Sequence, residues 1–170
     1  RFWVQSLHPY ATEGTYFITD DRGAAISPEN GDLATGPPTY TVTRYDLRKY
    51  HEEENFNLLK SGKKWYSDRF SINLSSAYPI TLDGVSFSDS VFVRMVAAAR
   101  SNEESVFSIR ANNILLGEME IGTVNLSSYT STYARERDMT FGFRTSQELV
   151  TFQVTYDRPN DNSIGWLDHI

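Results

Sequence analysis

The stretch Val91-Phe92-Val93-Arg94-Met95-Val96-Ala97-Ala98-Ala99 constrains the fold more than any other part of the chain. Successive side chains of an extended strand point to opposite faces. Val91, Val93, Met95, Ala97 and Ala99 therefore share one face, and Phe92, Arg94, Val96 and Ala98 the other. Both faces are mostly apolar, so the strand belongs in the middle of a sheet. Convincing helical periodicity is nearly absent elsewhere. Short β-rich runs recur instead between clusters of Gly, Asn, Asp, Ser and Pro, the pattern of a sandwich or barrel.

Besides 91–99, strands are expected at 14–19, 39–50, 70–74, 106–110, 114–116, 119–124, 139–143 and 149–156, with a Pro- and Gly-rich loop at 27–38. In the 70–74 run Phe70, Ile72 and Leu74 share one face, and in the last Val150, Phe152, Val154 and Tyr156 do so. Asn112-Asn113 suits a tight hairpin turn, because Asn tolerates positive φ. Residues 52–60 alone have a helical look, from their Glu, Leu and Lys, and are expected to form a turn or two of helix. The expected architecture is all-β: a two-sheet antiparallel β-sandwich, jelly-roll-like, of about nine or ten strands with a short helix near 52–60. A 170-residue chain suffices for one such domain over 1–170. The 14% aromatic content fits, since rings pack well on pleated surfaces.

Several chemistries are disfavoured. The chain has no cysteine, which removes thiol catalysis, disulfides and thiolate metal sites. Its net charge of −6 repels phosphate backbones, so nucleic acid is not an expected partner. No run of about 18 apolar residues is present, so no transmembrane segment is expected. The chain opens at Arg1-Phe2-Trp3 without a Met or a leader, which suggests a piece of a longer protein. His8, His51 and His169 are scattered and form no metal-ligand spacing. No Gly-x-Ser-x-Gly elbow occurs. The oxygen-rich runs Glu52-Glu53-Glu54 and Asp157-Arg158-Pro159-Asn160-Asp161-Asn162 invite a calcium reading, but they read better as a solvated segment and a polar turn. No catalytic residue, cofactor or metal site is expected. Trp65-Tyr66, Tyr129, Tyr133 and Tyr10 are candidates for stacking on sugar rings. Adjacent Trp65 and Tyr66 point to opposite faces of a strand, so one belongs to the core.

The most specific stretch runs from Tyr50 to Phe70: YHEEENFNLLKSGKKWYSDRF. It resembles a block in the non-catalytic region ahead of the peptidase domain of the type IX secretion system sortase, a gingipain-like family of cysteine peptidases on the surface of Bacteroidetes. Tyr156-Asp157-Arg158 followed by Ser163 to Ile170 (SIGWLDHI) resembles the segment with which that region leads toward the catalytic domain. The residues carrying the resemblance are His51, Glu52, Asn57, Leu58, Ser61, Gly62, Trp65, Tyr66, Asp68, Phe70, Gly165, Trp166, Leu167 and Asp168. Ser67 stands where the family usually has glycine, and His169 where it has an aromatic.

The resemblance implies a non-catalytic accessory domain of an exported, outer-membrane or cell-surface protein of a Gram-negative bacterium. The parent would carry its cysteine peptidase domain downstream and would process the C-terminal secretion signals of cargo. Implied partners are that downstream domain, outer-membrane secretion proteins and secreted cargo. The motif residues are expected to be structural, with Gly62 ending a helical turn at positive φ and Trp65 or Tyr66 entering the core. The alternative reading is a carbohydrate-binding sandwich module of an exported polysaccharide-degrading protein.

Overall fold

The structure, a computed structural model, describes residues 42–60 and 64–170. The chain divides into two units, Arg1–Asp46 and Leu47–Ile170, and the second holds every strand among the described residues. These strands are β1 (Asp68–Phe70), β2 (Ser75–Thr81), β3 (Val91–Arg100), β4 (Ser105–Ala111), β5 (Ile114–Ile121), β6 (Arg135–Phe143), β7 (Leu149–Asp157) and β8 (Ile164–His169). They form two four-stranded antiparallel sheets, ordered β1-β8-β3-β6 and β2-β7-β4-β5. The all-β sandwich expected from the sequence is borne out.

The connectivity is that of one long antiparallel ribbon rolled on itself: β4 pairs β5, β3 pairs β6, β2 pairs β7 and β1 pairs β8. Rolling such a ribbon into two sheets gives a jelly roll. The fold of the ribbon is the turn at Asn112 and Asn113, whose φ angles of 47° and 71° are those of a type I′ hairpin. Asn112 also ties the turn to β7. Its N–H donates to Thr151 O at 3.0 Å, and its Oδ1 accepts from Thr151 N at 2.9 Å.

The inward faces meet in a core that includes Phe70, Met95, Phe107, Phe152, Tyr156 and Leu167. Phe107 stacks on Tyr156 at 4.7 Å between centroids and meets the edge of Phe70 at 5.6 Å. Gly165 of β8 lies under this stack. A Cβ there would come within 2.6 Å of Phe107 Cζ and 3.1 Å of Tyr156 Cγ. The position takes glycine because two rings occupy its side-chain space.

Strand edges are protected in different ways. β6 carries Arg135, Glu136, Arg137 and Asp138 along its free edge, and charge there discourages edge-to-edge pairing. The Arg137 guanidinium crosses to Glu120 O of β5 at 2.7 Å. On edge strand β2, the bonds Tyr156 N to Leu74 O and Leu82 N to Glu148 O fix the ladder's phase. Even-numbered residues face β7, so Pro79 sits at an outward position and its missing N–H costs no ladder bond.

Several expectations are corrected. Residues 52–60 are not helical. Glu52 bridges His169 and Phe56 bridges Tyr66, so pairing with distant strands outweighs a weak local propensity. Of the expected strand 39–50, residues 42–50 form no ladder, and their side chains are exposed. Ile72 does not join Phe70 and Leu74 inside. It is 92% exposed, because the chain bends there between β1 in one sheet and β2 in the other. The runs 114–116 and 119–124 merge into β5, bent by a bulge opposite Ile109/Arg110. β2 and β8 were not expected, and the described strands number eight rather than nine or ten. The expected strand 14–19 and loop 27–38 lie outside the described residues.

Gly165→Ala is expected to destabilise the chain by about 2–3 kcal/mol, the cost of overpacking a fully buried aromatic stack. Gly122→Ala, where a Cβ would meet only the Arg135 side chain at 3.5 Å or more, should change stability by less than about 0.5 kcal/mol. Urea midpoints of the two variants check both.

Candidate functional site

The two segments that carry the family resemblance are neighbours in the fold. β8 has β3 on one side. On the other side lie Asp68–Phe70, opposite Leu167 to Gly165, and then His51-Glu52, opposite Ile170 and His169. His51 N donates to Ile170 O at 2.8 Å, and Ile170 N donates back to His51 O at 3.1 Å. One edge of β8 is therefore covered by two pieces of the same block.

Ser67 joins the pieces. Its N–H donates to Leu167 O at 2.8 Å. Its Oγ accepts from Glu53 N at 2.7 Å and donates to Asp168 O at 2.6 Å. Asn55 Nδ2 then donates to Ser67 O at 2.9 Å. The buried Ser67 hydroxyl thus links Glu53 N to Asp168 O. Ser67 is not among the residues at positive φ, so no special backbone angle is needed there.

On the outer face of the first sheet the same block forms a second, smaller apolar cluster. Tyr66, Ala98 and Trp166 are buried in it, with Leu58, Ala134 and Ile164 packed around them. Of the adjacent aromatics, Tyr66 is the buried one at 5% exposure, and Trp65 is 37% exposed. A polar rim closes the cluster. Lys64 Nζ lies 2.5 Å from Asp168 Oδ2 and 3.0 Å from Glu136 Oε2, and Tyr66 OH donates to Glu136 Oε2 at 2.9 Å. The Asp168 side chain is almost fully buried, so Lys64 supplies the charge that offsets it. Partial burial works against the Lys64 ammonium, but hydrogen bonds to Asp168 and Glu136 outweigh it and hold its pKa above the ordinary lysine value. Burial, reinforced by the Glu136 carboxylate, pushes the Tyr66 hydroxyl up.

At the first residue of β1, Tyr78 OH donates to Asp68 Oδ2 at 2.6 Å. The His51 ring packs on Tyr78 at 4.6 Å between centroids, with its Nε2 4.0 Å from the same carboxylate oxygen. Burial and then the Asp68 hydrogen bond push the Tyr78 hydroxyl up.

His51, Glu52, Tyr66, Asp68, Phe70, Gly165, Trp166, Leu167 and Asp168 are thus brought together, with Leu58 against the outer cluster and Trp65 beside it. Asn57 accepts from Lys60 N at 3.4 Å in a turn where Lys60 itself takes φ 52°. The helix stop expected at Gly62, together with Ser61, lies outside the described residues, as do Tyr10 and His8. Ser67, Tyr78 and Glu136 were missed as site residues. Glu136 had no local signal, being 70 residues from the tyrosine it binds.

The arrangement is a clasp. Its hydroxyls are engaged by carbonyls and carboxylates. In the 157–162 turn, the Arg158 guanidinium takes both Asp161 Oδ1 and Ser71 O, and Asn160 Nδ2 donates to Asn102 Oδ1 and Glu103 Oε1. Among the described residues no group of three His, Asp or Glu side chains is arranged to hold a metal ion. No helix among them is long and apolar enough to cross a membrane.

The fold is similar to part of dimeric latent PorU from Porphyromonas gingivalis, with a TM-score of 0.57 and 17% identity over 71% of this chain. The match takes up 12% of the PorU chain, and at that identity the likeness is one of fold. No protein-family model matches the sequence, and no curated protein does.

The clasp makes the fold sensitive to alkali. Tyr66, Tyr78 and Lys64 all have folded-state pKa values raised above those of the unfolded chain, which are about 10 for tyrosine and 10.4 for lysine. Their stabilising contribution is complete below about pH 10 and is lost as pH rises through the folded values. Urea midpoints should fall steeply above about pH 10, and less steeply in Tyr66→Phe and Tyr78→Phe. At neutral pH each variant should lose about 1 kcal/mol, the net value of a hydrogen bond.

Proposed function

We propose that this chain is the non-catalytic accessory domain of a type IX secretion sortase-like cysteine peptidase, exported to the outer membrane or cell surface of a Bacteroidetes-type bacterium. The likeness of fold to part of PorU supports the reading. One observation carries it beyond fold. The two blocks resembling the sortase family, roughly a hundred residues apart in sequence, are partners across the β1–β8 pair. Their shared pattern has a common physical task, which is to bind the last strand of the sandwich from its edge and its outer face. A clasp at that strand fixes the direction of the chain at Ile170. In the parent protein it would hold the peptidase domain at a set angle to the sandwich, where cargo and outer-membrane partners are presented.

The native gene tests this directly. Beyond Ile170 it should encode a gingipain-like domain with paired catalytic His and Cys. In cells whose parent gene lacks codons 47–170, cargo proteins should keep their C-terminal secretion signals, as read by mass spectrometry, while the peptidase domain is still detected by immunoblot. A glycosidase domain beyond Ile170, or fully processed cargo in those cells, would contradict the proposal.

A further inference from the structure

Between Glu120 and Arg135 the chain has no charged residue, although 22% of the whole is charged. Within that interval Ser127, Ser128, Tyr129, Thr130, Ser131, Thr132 and Tyr133 place seven hydroxyl side chains in succession. They form the loop from β5 to β6. Both ends of the loop are fixed. Val124 is buried and its N–H donates to Ser101 O at 2.7 Å, and Asn125 Oδ1 then accepts from Ser127 N at 3.0 Å to close a turn. At the far end the Arg100 guanidinium covers the Tyr133 ring at 4.4 Å and donates to Tyr133 O at 2.8 Å. Tyr133 in turn rests 6.4 Å from Trp166 of the outer cluster. Between these anchors Tyr129 is fully exposed.

We propose that the β5–β6 loop is a binding site for a neutral saccharide, with Tyr129 as its stacking platform. An aromatic ring free on the surface offers an apolar face to the C–H side of a sugar ring. Hydroxyl side chains both donate and accept, so they pair with ligand hydroxyls of the same kind. Tyrosine and serine together supply rigid contact area and adaptable hydrogen bonds at low conformational cost, the chemistry of binding loops elsewhere. No residue of the interval offers an ion pair to an anionic ligand, and the neighbouring Arg100 guanidinium is taken up by the Tyr133 ring and carbonyl. The interval also leaves unmatched the charges of an ordinary protein surface, so a neutral polyhydroxylated ligand is the best match. The loop would take such a ligand whatever domain follows the sandwich.

Affinity electrophoresis of the 170-residue chain through gels holding mannan, dextran, xylan or laminarin tests the site. Retardation is expected in at least one of the four. Tyr129→Ala should weaken it about tenfold with an unchanged melting midpoint, and Tyr129→Phe, which keeps the ring, should stay within about threefold of the parent. Migration unaffected by all four polysaccharides, retardation that survives Tyr129→Ala, or retardation confined to a heparin gel run alongside would each overturn the assignment.

Discussion

The last strand lies between the first and the third, and closure of the sandwich depends on that placement. Until β8 enters, β1 is a three-residue segment with no partner and β3 has one edge unpaired. Pairing Phe70 with Gly165 closes a long loop, whose entropic cost grows only slowly with length. The return comes on both faces of β8 at once. Leu167 enters the sandwich core, and Trp166 enters the outer cluster under Tyr66. Gly165 lets the strand approach closely enough, because a side chain there would meet Phe107 and Tyr156. His51, Ser67 and Lys64, which reach Ile170 and Asp168, then bind the strand from outside.

How much of this is legible in the sequence depends on where the determining contact lies. β3, β4 and β7 announce themselves through period-two alternation, and the hairpin through Asn112-Asn113, because those signals are local. β8 gives no such signal. Four of its six residues are buried, since both its faces are covered, and Gly, Trp and Asp interrupt any simple apolar run. β2 was hidden by its Ser and Pro content, which an edge strand tolerates when the proline faces outward. The 52–60 segment misled in the opposite way. Its composition favours helix, but its backbone hydrogen bonds lie with His169 and Tyr66, far along the chain. The candidate site divides similarly. That one of Trp65 and Tyr66 must be buried follows from strand geometry, whereas which one follows from Trp166, 100 residues from Tyr66, and Glu136, 70 residues from it.

The family-like residues acquire a physical meaning from this arrangement. Tyr66, Trp166 and Leu58 fill the outer cluster, while Asp68 and Asp168 are carboxylates satisfied by Tyr78 and Lys64. For the proposed accessory role the useful property is a rigid end to the sandwich. The uncharged β5–β6 loop, resting through Tyr133 against the same cluster, would share that rigidity.

Native-state hydrogen exchange tests the central claim that block and last strand are one cooperative unit. The amides of Ser67 and Ile170, bonded to Leu167 O and His51 O, report on the clasp, and that of Met95 in β3 reports on the core. Amides that exchange only through global opening share one free energy, whereas a locally opening segment shows a lower one. The account predicts that all three agree within about 1 kcal/mol. Exchange at Ser67 and Ile170 with opening energies several kcal/mol below that of Met95 would contradict it, and would make the block a separately opening appendage rather than the closure of the fold.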